Sequence, residues 1–128
     1  MASAILSVIV PVKDPDYASL RRCLASFAAL DAAGSLEVVI VHTGGFDRRQ
    51  MATPAQFRAL NVVSCEERGI YPAFNAGIRA ANGKFLLFFG HDDIALPDMD
   101  AAIRLLEAQS QPRVILAGHV FVQGVGLR

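Results

Sequence analysis

Short apolar runs alternate along the chain with segments whose apolar positions recur every three or four residues. Residues 5–12 form an apolar run of the kind expected for a strand buried on both faces of a parallel sheet. Asp14-Pro15-Asp16 then opens a helix, with proline in its first turn and carboxylates near the positive end of its dipole. The stripe Leu20, Cys23, Leu24, Phe27 and Leu30 gives that helix one apolar face. Residues 36–41 read as a second buried strand, broken off at Gly44-Gly45. Thr53-Pro54-Ala55-Gln56 has the form of a capping box and predicts a short helix ending near Leu60, before a brief third strand over 62–65. Tyr71, Phe74, Ile78 and Ala81 trace the next helix, with Pro72 near its start and Asn82-Gly83 as its stop. Residues 85–89 form a fourth apolar strand. Pro97 begins a helix that carries Ile103 and Leu106 and ends before Pro112, and 114–122 read as a fifth strand. The alternation predicts right-handed crossovers and a mainly parallel α/β sheet with helices on both faces.

Composition narrows the function. A chain of 128 residues makes one domain, expected to span 1–128. Twelve Lys plus Arg balance twelve Asp plus Glu, so the basic surplus that phosphate backbones demand is missing and nucleic acid is not an expected partner. With 53% hydrophobic residues the chain can build a core, yet no apolar run is long enough to span a bilayer. Its first twelve residues lack a basic start and a cleavage site, so no signal peptide is expected. Cys23 and Cys65 sit inside apolar patterns and read as free thiols, consistent with a cytoplasmic protein.

In open parallel sheets, ligands bind beyond the carboxyl ends of the strands. Here those ends carry Lys13-Asp14, His42-Thr43-Gly44-Gly45, Glu66-Glu67-Arg68 and His91-Asp92-Asp93, so the polar residues converge on one edge. Adjacent Asp92 and Asp93 repel each other, and a divalent cation relieves that repulsion. Mg²⁺ and Mn²⁺ take one or two protein carboxylates and fill their shells with water and phosphate oxygens. Equally, Asp93 is a plausible cap for the turn that follows and Asp92 a solvated carboxylate. No G-x-G-x-x-G follows the first strand, which weighs against a dinucleotide-binding dehydrogenase, and no phosphate-binding loop of the G-x-x-x-x-G-K-[ST] type occurs. A phosphoacceptor receiver wants acidic residues after the first strand and a lone Asp after the third, which the double Asp after the fourth strand does not fit, and a hydrolase's nucleophile elbow is missing.

These residues resemble family 2 glycosyltransferases, which transfer a sugar from a nucleoside diphosphate with inversion. Ser7-Val8-Ile9-Val10-Pro11-Val12-Lys13-Asp14 is similar to the family's first strand. The segment Glu67-Arg68-Gly69-Ile70-Tyr71-Pro72-Ala73-Phe74-Asn75-Ala76-Gly77-Ile78 resembles its Asp-Lys-Gly-Ile-Tyr-Asp-Ala-Met-Asn-Lys-Gly-Ile stretch. Gly83-Lys84-Phe85 through His91-Asp92-Asp93, with Leu96-Pro97-Asp98, resembles the strand ending in the D-x-D-type metal motif. The resemblance implies a Rossmann-like fold of the GT-A type and a UDP-sugar donor held with Mn²⁺ or Mg²⁺. It places Pro11, Asp14, Thr43, Glu67, Arg68 and Asp92 at the nucleotide sugar, and Asp92 and Asp93 at the metal. Asn75 would fix loop geometry, or else sit as a polar residue on the buried side of its helix.

The sequence departs from the family in four places. Thr43, preceded by His42, stands where the family has an aspartate for the base; Gly90 takes the first acidic place of D-x-D; Lys13 replaces an aromatic. The family's acceptor-binding half, with its general base, has no counterpart here: no Asp or Glu follows Glu107. The expectation is a donor-binding portion with no catalytic residue of its own, little transfer activity, and a homodimer formed through apolar surface over 120–127. The alternative is a non-catalytic binding or assembly module on the same fold.

Overall fold

The computed structural model describes residues 4–51 and 56–109. Four strands, β1 (Leu6–Lys13), β2 (Leu36–Thr43), β3 (Ala59–Ser64) and β4 (Phe85–Phe88), form an all-parallel sheet in the order β3-β2-β1-β4. Three α-helices connect or follow them: α1 (Tyr17–Ala28), α2 (Ile70–Ala80) and α3 (Met99–Glu107).

Alternation along the central strands sorts their side chains onto two faces. Val8, Val10 and Val12 of β1 and Val38 and Ile40 of β2 join Leu20, Leu24 and Phe27 of α1 and Ile103 of α3 in the larger core. Ile9, Val39 and Val41 point the other way, against Ala73 of α2. Both faces of β1 and β2 are covered, which is why they read as apolar runs. At its entry α1 is capped by Asp16, whose carboxylate accepts from the backbone N–H groups of Ala18 (3.1 Å) and Ser19 (3.4 Å). Pro15 therefore precedes the cap and does not occupy the first turn. The hydroxyl and backbone of Ser19 hold the Asp16 carboxyl below its ordinary range.

Other expectations are corrected too. The helix expected to reach Leu60 does not: Ala59 and Leu60 already pair with Glu37 and Val38, and β3 starts there instead of at Val62. The pairing edge of β2 overrides the local helical pattern; residues 52–55 lie outside the described region. The stripe Tyr71, Phe74, Ile78 and Ala81 marks a true helix, but only half of it is covered: Phe74 and Ala81, partly buried, pack against the core beneath α2. Tyr71 is 76% exposed and Ile78 42%, while Ala73 and Gly77 meet the sheet. A Cβ on Gly77 would stand 2.4 Å from Cγ2 of Ile9, so the helix lies too close to β1 for larger side chains. Asn75 is exposed, not on that buried side. In β4, Leu86 and Phe88 are also exposed, unlike a strand covered on both faces. The expected strand over 114–122 and the apolar surface over 120–127 lie outside the described residues.

At the foot of the sheet, opposite the carboxyl ends, Glu37 is buried in a polar network. Its Oε1 accepts from the Ser7 hydroxyl (2.6 Å) and the Asn82 backbone N–H (2.7 Å), and its Oε2 from the Asn61 amide (3.1 Å). Ser7 in turn accepts from Gly83 N–H at 2.8 Å. Burial pushes the carboxyl up, but the bonds from Asn82 and Ser7 outweigh it and hold Glu37 below the usual carboxylate range.

Candidate nucleotide-sugar site

The ends of β1, β2 and β3 surround a cleft of about 560 Å³ lined by Lys13, Asp14, Thr43, Gly44, Glu66 and Arg68. That size is in the range of pockets that enclose a small organic ligand. Asp14 turns the chain away from β1 in the left-handed region (φ 48°), which aspartate tolerates better than most residues. Gly44, at φ 82°, turns it away from β2. Cys65 N–H donates to the His42 carbonyl at 2.8 Å, so the loop after β3 leaves beside the end of β2 and brings Glu66 and Arg68 to Thr43. Two cations and two carboxylates face one space. The cations suit phosphate oxygens, and the carboxylates suit hydroxyl or ring N–H donors.

On the other side of β1, the turn after β4 carries the acidic pair. Asp93 N–H donates to the Gly90 carbonyl at 3.1 Å, closing the turn, and both carboxylates lean over Gly90. A Cβ at position 90 would lie 2.8 Å from Asp93 Oδ2 and 3.2 Å from Asp92 Oδ1. Glycine in place of the first acid of D-x-D thus leaves room for both side chains. Beneath the turn, Cys23 Sγ approaches the Gly90 carbonyl at 3.8 Å. Ser26 accepts from Ala95 N–H at 2.8 Å, tying the following loop to α1. Among the described residues no three His, Cys, Asp or Glu gather as a metal cage. Two exposed, convergent carboxylates still fit a hard divalent cation that completes its shell with water and phosphate.

Of the expected site residues, Asp14, Thr43 and Arg68 meet in the cleft. Pro11 lies within β1, below the rim, and Glu67 does not line the cleft; Glu66 does. Loop residues after a strand keep no fixed period, so the sequence does not say which of two adjacent glutamates turns inward. Lys13 was visible in sequence as a strand-end residue. Asp92 and Asp93 form their own cluster beyond β1.

The profile of the family described as "Glycosyl transferase family 2" matches residues 7–127. The chain belongs to that family. A PGL/p-HBAD biosynthesis glycosyltransferase of Mycobacterium bovis is 29% identical over an alignment covering 100% of this chain and 51% of the relative. An N-acetylglucosaminyltransferase of Bradyrhizobium elkanii is 30% identical, over 85% of this chain and 62% of its own length. The chain thus spans about half to three-fifths of the length of these relatives. Among solved structures, the mannosyltransferase PcManGT of Pyrobaculum calidifontis, in complex with GDP-Man and Mn²⁺, superposes with a TM-score of 0.67 at 26% identity, covering 85% of this chain and 34% of that one. The S. aureus TarS 1–349 complex with UDP-GlcNAc gives 0.61 at 27% identity, over 80% and 31%. The fold of this family 2 chain is Rossmann-like and of the GT-A type.

The two cysteines of this family 2 domain report on the site's floor. Cys23 is fully buried, and burial, followed by the negative charges of Asp93 and Asp92, pushes its thiol up to about 12. Cys65 is only partly covered. A thiol reagent should therefore titrate Cys65 in the folded chain and Cys23 only on unfolding. Rapid native reaction of both thiols would contradict this packing.

Proposed function

We propose that the chain is a single nucleotide-sugar-binding unit of an inverting glycosyltransferase, acting in the cytoplasm on a UDP-sugar with Mn²⁺ or Mg²⁺. The observation that carries the reading is the juxtaposition, on one sheet edge, of a mixed-charge cleft over β1–β3 and a paired carboxylate at β4. The nucleoside occupies the cleft, with Thr43 toward the base and Asp14 or Glu66 at the ribose hydroxyls. Lys13 and Arg68 face the phosphates. Asp92 and Asp93 hold the divalent ion, which when bound offsets charge on the departing nucleoside diphosphate. Transfer forms a bond from the acceptor oxygen to the anomeric carbon and breaks the bond to the diphosphate, whose oxygen keeps the electron pair. The acceptor's proton must pass to a base. Glu107 does not serve: α3 ends where Lys84 Nζ donates to the Gln109 carbonyl, at the foot of β4 and away from the site. Metal-dependent donor binding is the expected behaviour of this chain.

Amide NMR with UDP and Mg²⁺ tests the reading. Shifts should concentrate at Asp14, Thr43, Gly44, Arg68 and Asp92-Asp93; shifts confined to other parts of the sheet would overturn it. Base selection should be weak, because a hydroxyl at position 43 replaces a charged acceptor, and such a bond is worth about 1 kcal/mol more when charged. UDP and GDP should bind within about tenfold of each other. A preference of several hundredfold that survives Thr43→Ala would contradict the assignment of Thr43.

A further inference from the structure

His42 lies at the end of β2 on the face opposite the cleft, and it does not line the cleft itself. Its Nδ1 is 3.0 Å from the Gly44 carbonyl oxygen. A carbonyl can only accept, so Nδ1 carries the proton, and in the neutral ring Nε2 is left bare. The imidazole stacks on Phe46 at 5.2 Å with planes 16° apart, and Phe46 packs against Tyr17 of α1 at 5.6 Å. The Tyr17 hydroxyl accepts from Asp47 N–H at 2.7 Å. The turn that carries Thr43 and Gly44 into the cleft is thus fastened from behind, by a ring on β2 and by a hydroxyl on α1.

We propose that His42 is a positioning residue for nucleotide binding, acting through its Nδ1–H bond to the Gly44 carbonyl rather than by contact with the ligand. The proposal rests on the nucleotide reading of the cleft. Gly44 sits at a positive φ that few side chains adopt, and glycine there is conformationally free, so an outside restraint on its carbonyl narrows the turn. The histidine N–H supplies that restraint, and the stack on Phe46 orients the ring that provides it.

Two substitutions separate the hydrogen bond from the stack. His42→Phe keeps an aromatic plane on Phe46 and removes the donor. His42→Asn loses the ring but carries an amide nitrogen two bonds from Cβ, where Nδ1 stands. With Mn²⁺ present, His42→Phe should weaken UDP binding about tenfold at unchanged melting temperature, and His42→Asn should restore most of it. Long-range ¹⁵N spectra of the wild-type chain at pH 8 should show the neutral Nδ1–H tautomer. Full affinity in His42→Phe, equal losses in both variants, or a dominant Nε2–H tautomer would overturn the proposal. If the wild-type chain binds neither UDP nor GDP, the nucleotide reading falls and so does the binding role. The tautomer and the Gly44 shifts in the two variants would then still show whether the bond holds the turn.

Discussion

Replacing Glu37 by alanine should cost the fold about 4 kcal/mol, much of the 5–15 kcal/mol that typically holds a domain together. Its carboxylate accepts from the Ser7 hydroxyl, the Asn82 N–H and the Asn61 amide, joining β1, β2, β3 and the loop before β4 at the foot of the sheet. Each hydrogen bond to a charged group contributes about 1.5–3 kcal/mol, and each buried donor stripped of its acceptor costs about 1–3 kcal/mol. Glu37→Gln should lose less, about 2–3 kcal/mol, because one oxygen remains while an NH₂ group is turned against donors. The pH dependence follows from the lowered folded pKa. The network's contribution is fully present above the unfolded glutamate value near 4.5 and is lost as pH falls through the still lower folded value. Urea unfolding of the three proteins between pH 3 and 7 measures both effects. A loss below about 1 kcal/mol in Glu37→Ala would show that the network is solvated and dispensable.

Much of the architecture was legible because parallel strands covered on both faces leave unbroken apolar runs, as residues 36–41 do despite Glu37. That glutamate passed unnoticed since its partners, Ser7, Asn61 and Asn82, are scattered in sequence and meet only through the strand register. Helix α2 shows the opposite limit. Its largest apolar residues mark its period, yet Tyr71 faces solvent, Phe74 is only partly covered, and the buried positions are Ala73 and Gly77, because close approach selects small residues. The site's location followed from strand ends, whereas the inward turn of Glu66 in place of Glu67 depends on loop geometry that has no sequence period. In the sequence His42 is one of several polar strand-end residues, beside the departure at Thr43. Its bond to Gly44 emerges from the structure alone.

The second large effect concerns the acidic pair. Asp92 and Asp93 converge over Gly90 with no third acidic, histidine or cysteine ligand gathered among the described residues. Each carboxylate is therefore half of the protein's share of any ion bound there. Asp93→Ala or Asp92→Ala should weaken metal-dependent UDP binding by at least about 100-fold, since even an outer-shell partner is worth 10- to 100-fold in metal affinity. Neither change should lower the melting temperature, because both side chains are exposed.

The most direct measurement is calorimetric titration of the wild-type chain with UDP and with GDP, in Mn²⁺ and again in EDTA, repeated with Asp93→Ala. Saturable binding that needs both the ion and Asp93 is the predicted result. Equal affinity with and without Mn²⁺ in both proteins would contradict the account.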